Sequence, residues 1–243
     1  VLTTTAATVF NGGFASNAPS TISSANNLDT LQLISTDADA NAGPNLRFYR
    51  NSGSPADNDL MAKVDFEGRN DNSQDVVYAS IENYALDVSD GTEDGELTFY
   101  TMVAGTSRNR LDFTNTQTTF NESSVDVDFR VESNGNTHML FVDGGNDAVG
   151  IGTAAPSAPL QVAYAPSDTV GAVGISLKDK DNAIEFGLRL DAASKDLHLD
   201  RYYNGGWLNT MSFDRSTGNV GIGTSAPPMK LTVRNGSANT DIA

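Results

Sequence analysis

Apolar and polar residues alternate with a period of two along several stretches of the chain. Val125, Val127, Phe129 and Val131 are interleaved with Asp126, Asp128, Arg130 and Glu132, which gives one apolar and one charged face. Ile184, Phe186, Leu188 and Leu190 alternate with Glu185, Gly187 and Arg189 in the same way. Leu197 and Leu199 flank His198, and Leu46 and Phe48 flank Arg47. This alternation predicts short β-strands with one buried face. Turn signals separate the runs: Asn134-Gly135, Asp143-Gly144-Gly145, Asn204-Gly205-Gly206 and Thr217-Gly218-Asn219. An Asx-Gly step tolerates the positive φ angles of tight hairpin turns. A helix could be argued only for residues 72–88. The expected class is therefore all-β, built of short antiparallel strands and hairpins.

Self-similarity organises these strands. Residues 149–156 read VGIGTAAP and residues 220–227 read VGIGTSAP, 71 positions later. Leu160-Gln161-Val162 then matches Leu231-Thr232-Val233 at the same offset. Upstream, Met139 to Val149 matches Met211 to Val220 with one residue inserted. Weaker echoes are Leu31-Gln32-Leu33, and Thr8-Val9-Phe10-Asn11 against Thr118-Thr119-Phe120-Asn121.

The repeats divide the chain. Residues 1–29 read as a connector or the end of a preceding module, and 30–121 as a larger β module. A β-ribbon with the first VGIGT junction spans 122–156. A smaller β module ending in the second junction spans 157–228, and 229–243 open a further module expected to continue beyond them. With no initiating Met, the chain reads as processed or as a piece of a longer protein.

The junctions have a local logic. Gly150, Gly152, Gly221 and Gly223 permit close backbone approach, and Pro156 and Pro159 end strand pairing because they donate no hydrogen bond. Ile151 and Ile222 are the large apolar side chains there. In a trimer they would point at the symmetry axis, where the glycines would let three backbones meet. These six residues are the expected assembly sites.

Composition narrows the function. Only 38% of residues are hydrophobic, too few for a large private core, so a core shared between subunits is expected. The net charge of −16 argues against nucleic acid and against anionic membrane surfaces. Three copies at −16 each would carry −48, so assembly should strengthen with salt. There is no cysteine, which excludes disulfides and thiol chemistry. No segment is apolar enough to span a membrane, and residues 1–20 lack the pattern of a signal peptide.

The pattern FxxxxGNVGIGTxxPxxxLxV from Phe213 to Val233 resembles the module junctions of bacteriophage tail fibre proteins, especially those of marine phages. Residues 45–71 and 87–99 are also similar to modules of that family. The likeness runs from about Thr3 to Val233. It implies an elongated, modular, homotrimeric virion fibre, extracellular, non-enzymatic and involved in host attachment. The implied partners are further copies of the chain, other virion tail proteins and a host surface glycan or protein. The chaperone domain that often follows such junctions is not among these residues.

Sharper chemistry finds little anchor. The acidic run Asp87 to Glu96 could bind calcium, but it lacks the ligand spacing of an EF-hand and reads as a solvated hairpin loop. Asp37, Asp39 and Asn41 read likewise. Residues 143–147 are similar to a calcium-binding β-roll repeat, which needs tandem copies absent here. Gly150-x-Gly152 lacks the third glycine and following helix of a nucleotide loop. Paired carboxylates could cleave glycans, yet no cleft is apparent. His138 and His198 fall in different modules, so Ser-His-Asp chemistry has no anchor. Tyr202, Tyr203 and Trp207 could stack on sugars, with Trp207 read as core. No catalytic, cofactor or metal residue is assigned. The alternatives to an attachment fibre are a glycan-depolymerising tailspike and a bacterial surface or secreted filament protein.

Overall fold

The computed structural model describes residues 15–164, 173–178 and 185–234. Contacts divide the chain into two units, Val1–Pro55 and Ala56–Ala243. In the first, no described residue lies in a strand. Its polar side chains cap their own backbone, as where Asp39 Oδ1 accepts the Asn41 N–H at 2.8 Å. Leu31-Gln32-Leu33 and the Leu46-Arg47-Phe48 alternation therefore form no strand here; Leu46 and Phe48 are exposed. Alternation alone cannot make a strand when no ladder partner takes its backbone groups.

The second unit is all-β, without helix among the described residues. Strands β1 (Asp59–Arg69), β2 (Asp75–Asp87), β3 (Asp94–Val103), β4 (Thr106–Phe113) and β5 (Thr118–Phe120) form an antiparallel sheet in that order. The helix arguable over 72–88 is strand β2 instead, because Ser80, Ile81 and Glu82 pair with Asp65, Val64 and Lys63 of β1. A second sheet contains β6 (Phe129–Val131), β7 (Leu140–Asp143), β8 (Ala148–Ile151) and β9 (Leu160–Val162). The third contains β10 (Ile175–Lys178), β11 (Glu185–Leu190), β12 (Leu197–Tyr203), β13 (Gly206–Phe213), β14 (Val220–Ile222) and β15 (Leu231–Val233). Pairings β8–β9 and β14–β15 are parallel, and the other ladders are antiparallel. No sheet closes into a barrel.

Asn204 and Gly205 have φ of 50° and 82°, the two positive values of a type I′ turn between β12 and β13. Ala104 and Gly105, at 46° and 77°, make the same turn between β3 and β4 without an Asx residue. The Asn134-Gly135 step takes neither positive angle. In the Asp143–Ala148 connection the left-handed residue is Asp147 rather than a glycine, because Asp143 Oδ1 accepts the Gly145 and Asn146 N–H groups and builds an Asx turn.

The expected strand over residues 125–131 shortens to β6. The hairpin 143–148 takes up the preceding residues instead: Asp128 Oδ1 accepts the Gly144 N–H at 3.1 Å, and a Cβ on Gly144 would stand 2.7 Å from the Val127 oxygen. Ile184 and Thr8 to Asn11 lie outside the described residues.

Candidate functional site

Cross-strand register sorts side chains onto opposite faces of each sheet. In the first sheet Val64, Ile81, Phe99, Leu111 and Phe120 stand directly opposite one another, so one apolar row crosses all five strands. In the third sheet Ile175, Leu188, Leu199, Met211, Ile222 and Val233 do the same across six. In the second, Phe129, Val142, Val149 and Leu160 cross four. None of these row residues is buried.

The opposite faces hold the buried side chains: polar ones in the first and third sheets, Phe141 and Ala148 in the second. In the third sheet Arg189, His198, Ser212, Gly221 and Thr232 form one cross-strand row, and Asp200 and Asn209 sit opposite each other beside it. Arg189 donates from Nε to Asp200 Oδ2 at 2.8 Å, with the two side chains 3% and 0% exposed. His198 Nδ1 lies 2.8 Å from Ser212 Oγ, and Asn209 Nδ2 donates to Asp200 Oδ1 at 3.1 Å. Burial, aided by the Arg189 charge, pushes the His198 imidazole below its ordinary value. A Ser–His pair thus does form, which spacing in the sequence did not reveal. Register brings the two opposite each other across β12 and β13, where Ser212 and His198 are 1% and 3% exposed.

The first sheet repeats this arrangement. Thr98 is fully buried, its Oγ1 lying 3.0 Å from Glu96 Oε1 and 2.9 Å from Asp112 Oδ1. Burial and the neighbouring Asp112 raise the Glu96 carboxyl. Burial also works to raise Glu82, but hydrogen bonds from Tyr84 and Lys63 outweigh it and hold the carboxyl low. The Tyr84 hydroxyl, bonded to Glu82, is pushed up to about 12. Trp207, expected in a core, is half-buried on the polar face and meets Tyr202 edge-on at 5.7 Å.

The two junctions correspond contact for contact. Val149 N–H donates to the Pro159 oxygen and Val220 N–H to that of Lys230, both at 2.9 Å. Ala163 N–H donates to Ile151, and Arg234 N–H to Ile222. A Cβ on Gly150 would stand 2.6 Å from the Thr153 oxygen, and one on Gly152 2.3 Å from that of Ala163. For Gly221 and Gly223 the figures are 2.3 Å to Thr224 and 2.4 Å to Arg234. A close approach demanding glycine is thus made within the chain's own crossover. Ile151 is exposed and Ile222 half-buried. The two junctions lie in separate sheets, the second and the third.

Structure adds a partial echo that sequence reading missed, sharing the left-handed turn but not the parallel pairing, since β5 and β6 lie in different sheets. Asn121, after Phe120, has φ of 64°, close to the 76° and 73° of Gly152 and Gly223. Its N–H donates to the Arg110 oxygen, as Gly152 donates to His138 and Gly223 to Thr210. Residues 118–131, 149–162 and 220–233 then align without a gap, placing Phe129-Arg130-Val131 beside Leu160-Gln161-Val162 and Leu231-Thr232-Val233. The signal available was the shared aromatic or Ile followed by a residue suited to positive φ.

Among the described residues no three acidic or His side chains gather as metal ligands. In the 87–96 loop, Asp87 and Glu93 accept the Ser89 and Gly91 N–H groups. No protein-family model and no curated protein matches the chain.

Proposed function

We propose that the chain is a structural segment of a bacteriophage tail fibre: a homotrimer whose core is shared between subunits, borne on the virion and contributing to host attachment without catalysis. One observation carries the reading. Phe141 and Ala148 are the only buried hydrophobic side chains among the described residues, while every sheet holds an apolar row open to solvent. Side chains selected for strand patterning but left wet need a partner surface. The twice-used junction suits a protein that strings modules in series, as the resemblance to tail fibre modules implies. Other tail proteins and a host glycan or protein are the partners of this reading.

Sedimentation equilibrium of the isolated chain, with electron microscopy of the same sample, tests it. Rods of three-chain mass are expected. A stably folded monomer overturns the proposal, and turnover of host polysaccharide would move the assignment to a depolymerase.

A further inference from the structure

Resting on the fibre reading, we infer which surface the copies share: the apolar face of the six-stranded sheet packs on the same face of its neighbours, with the row from Ile175 to Ile222 at the centre of the contact. A second copy of the chain is the occupant to which this commits.

The face is the least charged broad surface of the third sheet. On one side of the central row, Leu190, Leu197, Phe213, Val220 and Leu231 form another continuous apolar row. On the other, Leu177, Phe186, Arg201 and Leu208 are aligned, and Arg201 is the single charge. Leu188, Phe186 and Leu190 are each 40% exposed, and Leu177 is 73% exposed. A shallow hollow of about 180 Å³ lies on this face between Ile175, Leu177, Phe186, Leu188 and Leu199, the size of an inserted aliphatic side chain or two.

Apart from Arg201, which stacks over the Tyr203 ring at 5.3 Å, the polar network lies on the reverse face. Arg189, Asp200 and His198 are locked in the buried network on the reverse face, so the sheet cannot turn that face to a partner without breaking it. The partner must therefore be apolar on its contacting side. A chain at −16 has few such surfaces to offer, and the equivalent sheet of another copy is one of them. Symmetry argues the same way. The first and third sheets carry homologous rows, Phe99–Leu111–Phe120 against Leu199–Met211–Ile222, both ending just before a residue of positive φ. One symmetric association covers all of them at once, whereas unrelated partners would have to cover each separately. Sheets packed face to face lie roughly 10 Å apart.

The chain has no cysteine, so a single introduced thiol reports its own surroundings. We would place Leu199→Cys at the centre of the row and Ser216→Cys on the exposed hairpin loop, and treat both with a short bismaleimide. The expected result is covalent dimer from Leu199→Cys and none from Ser216→Cys. Leu199→Glu should retain the β circular-dichroism signal yet sediment as a monomer at concentrations where the parent is fully assembled. If the parent assembles but Leu199→Cys stays uncrosslinked, this face is overturned while the fibre reading stands. Should Leu199→Glu fail to fold, the crosslink decides alone. A parent that is itself a folded monomer overturns both.

Discussion

Gly221 lies directly beneath the carbonyl oxygen of Thr224, so that a Cβ built upon it would stand 2.3 Å from that atom. Real contacts of this kind do not come so close, and the obstacle is backbone within the same crossover, which cannot rotate aside. Gly221→Val should therefore break the β14–β15 junction and cost on the order of 3 kcal/mol. Gly205 is the control: its φ is +82°, but nothing stands within 4 Å of an added Cβ. Gly205→Ala should cost only about 1–2 kcal/mol, from left-handed strain. Urea unfolding of both variants, with equal slopes, reads the difference.

The buried pair Arg189–Asp200 gives a second expectation. Removing one partner leaves a charge inside the network, so Asp200→Ala should destabilise by about 3–5 kcal/mol. Replacing both with apolar residues, Arg189→Met with Asp200→Leu, should recover much of that loss. Chemical unfolding of the single and double variants tests the coupling; an additive double variant would show that the pair is not buried as a unit.

Acid sensitivity follows from two loop carboxylates. The Ser194 N–H, together with further donors, holds Asp191 at about 2; the Ser216 hydroxyl and the Thr217 N–H do the same for Asp214. Because both folded values lie below the ordinary 3.8, the unfolded chain binds protons first. The stabilisation is complete above about 3.8 and is lost as pH falls through about 2. Tm should drop across that window, and less steeply in Asp214→Asn. A parallel Tm curve for the variant would refute the assignment.

Salt should favour assembly. Raising ionic strength from about 0.01 M to about 0.1 M shortens the screening length from roughly 30 to 10 Å, which relieves repulsion between copies at −16 each. Sedimentation across that range should show the assembled fraction rising; a fall would mean that ion pairs, not apolar faces, join the copies.

Much of the local structure was legible in the residues. Period-two alternation marked β11 and β12, Asn204-Gly205 marked a type I′ turn, and the duplicated VGIGT segments marked two equivalent crossovers. These are short-range properties: φ preference, side-chain direction and the absence of a Cβ act within a few residues. The junction-like turn at Asn121 stayed hidden because a non-glycine holds the left-handed position there.

Only the tertiary structure decided which face is which. Phe186-Gly187-Leu188-Arg189-Leu190 reads as a strand with its leucines inside, yet Arg189 is buried and the leucines face solvent. Alternation specifies that two faces differ, and nothing in it says which one meets a partner. That depends on long-range pairing: Arg189 reaches Asp200 and His198 reaches Ser212 only once β11, β12 and β13 are in register. The same pairing aligns Leu188, Leu199, Met211 and Ile222 into a row that no stretch of the chain contains by itself, because a β-sheet assembles its surfaces across strands rather than along them.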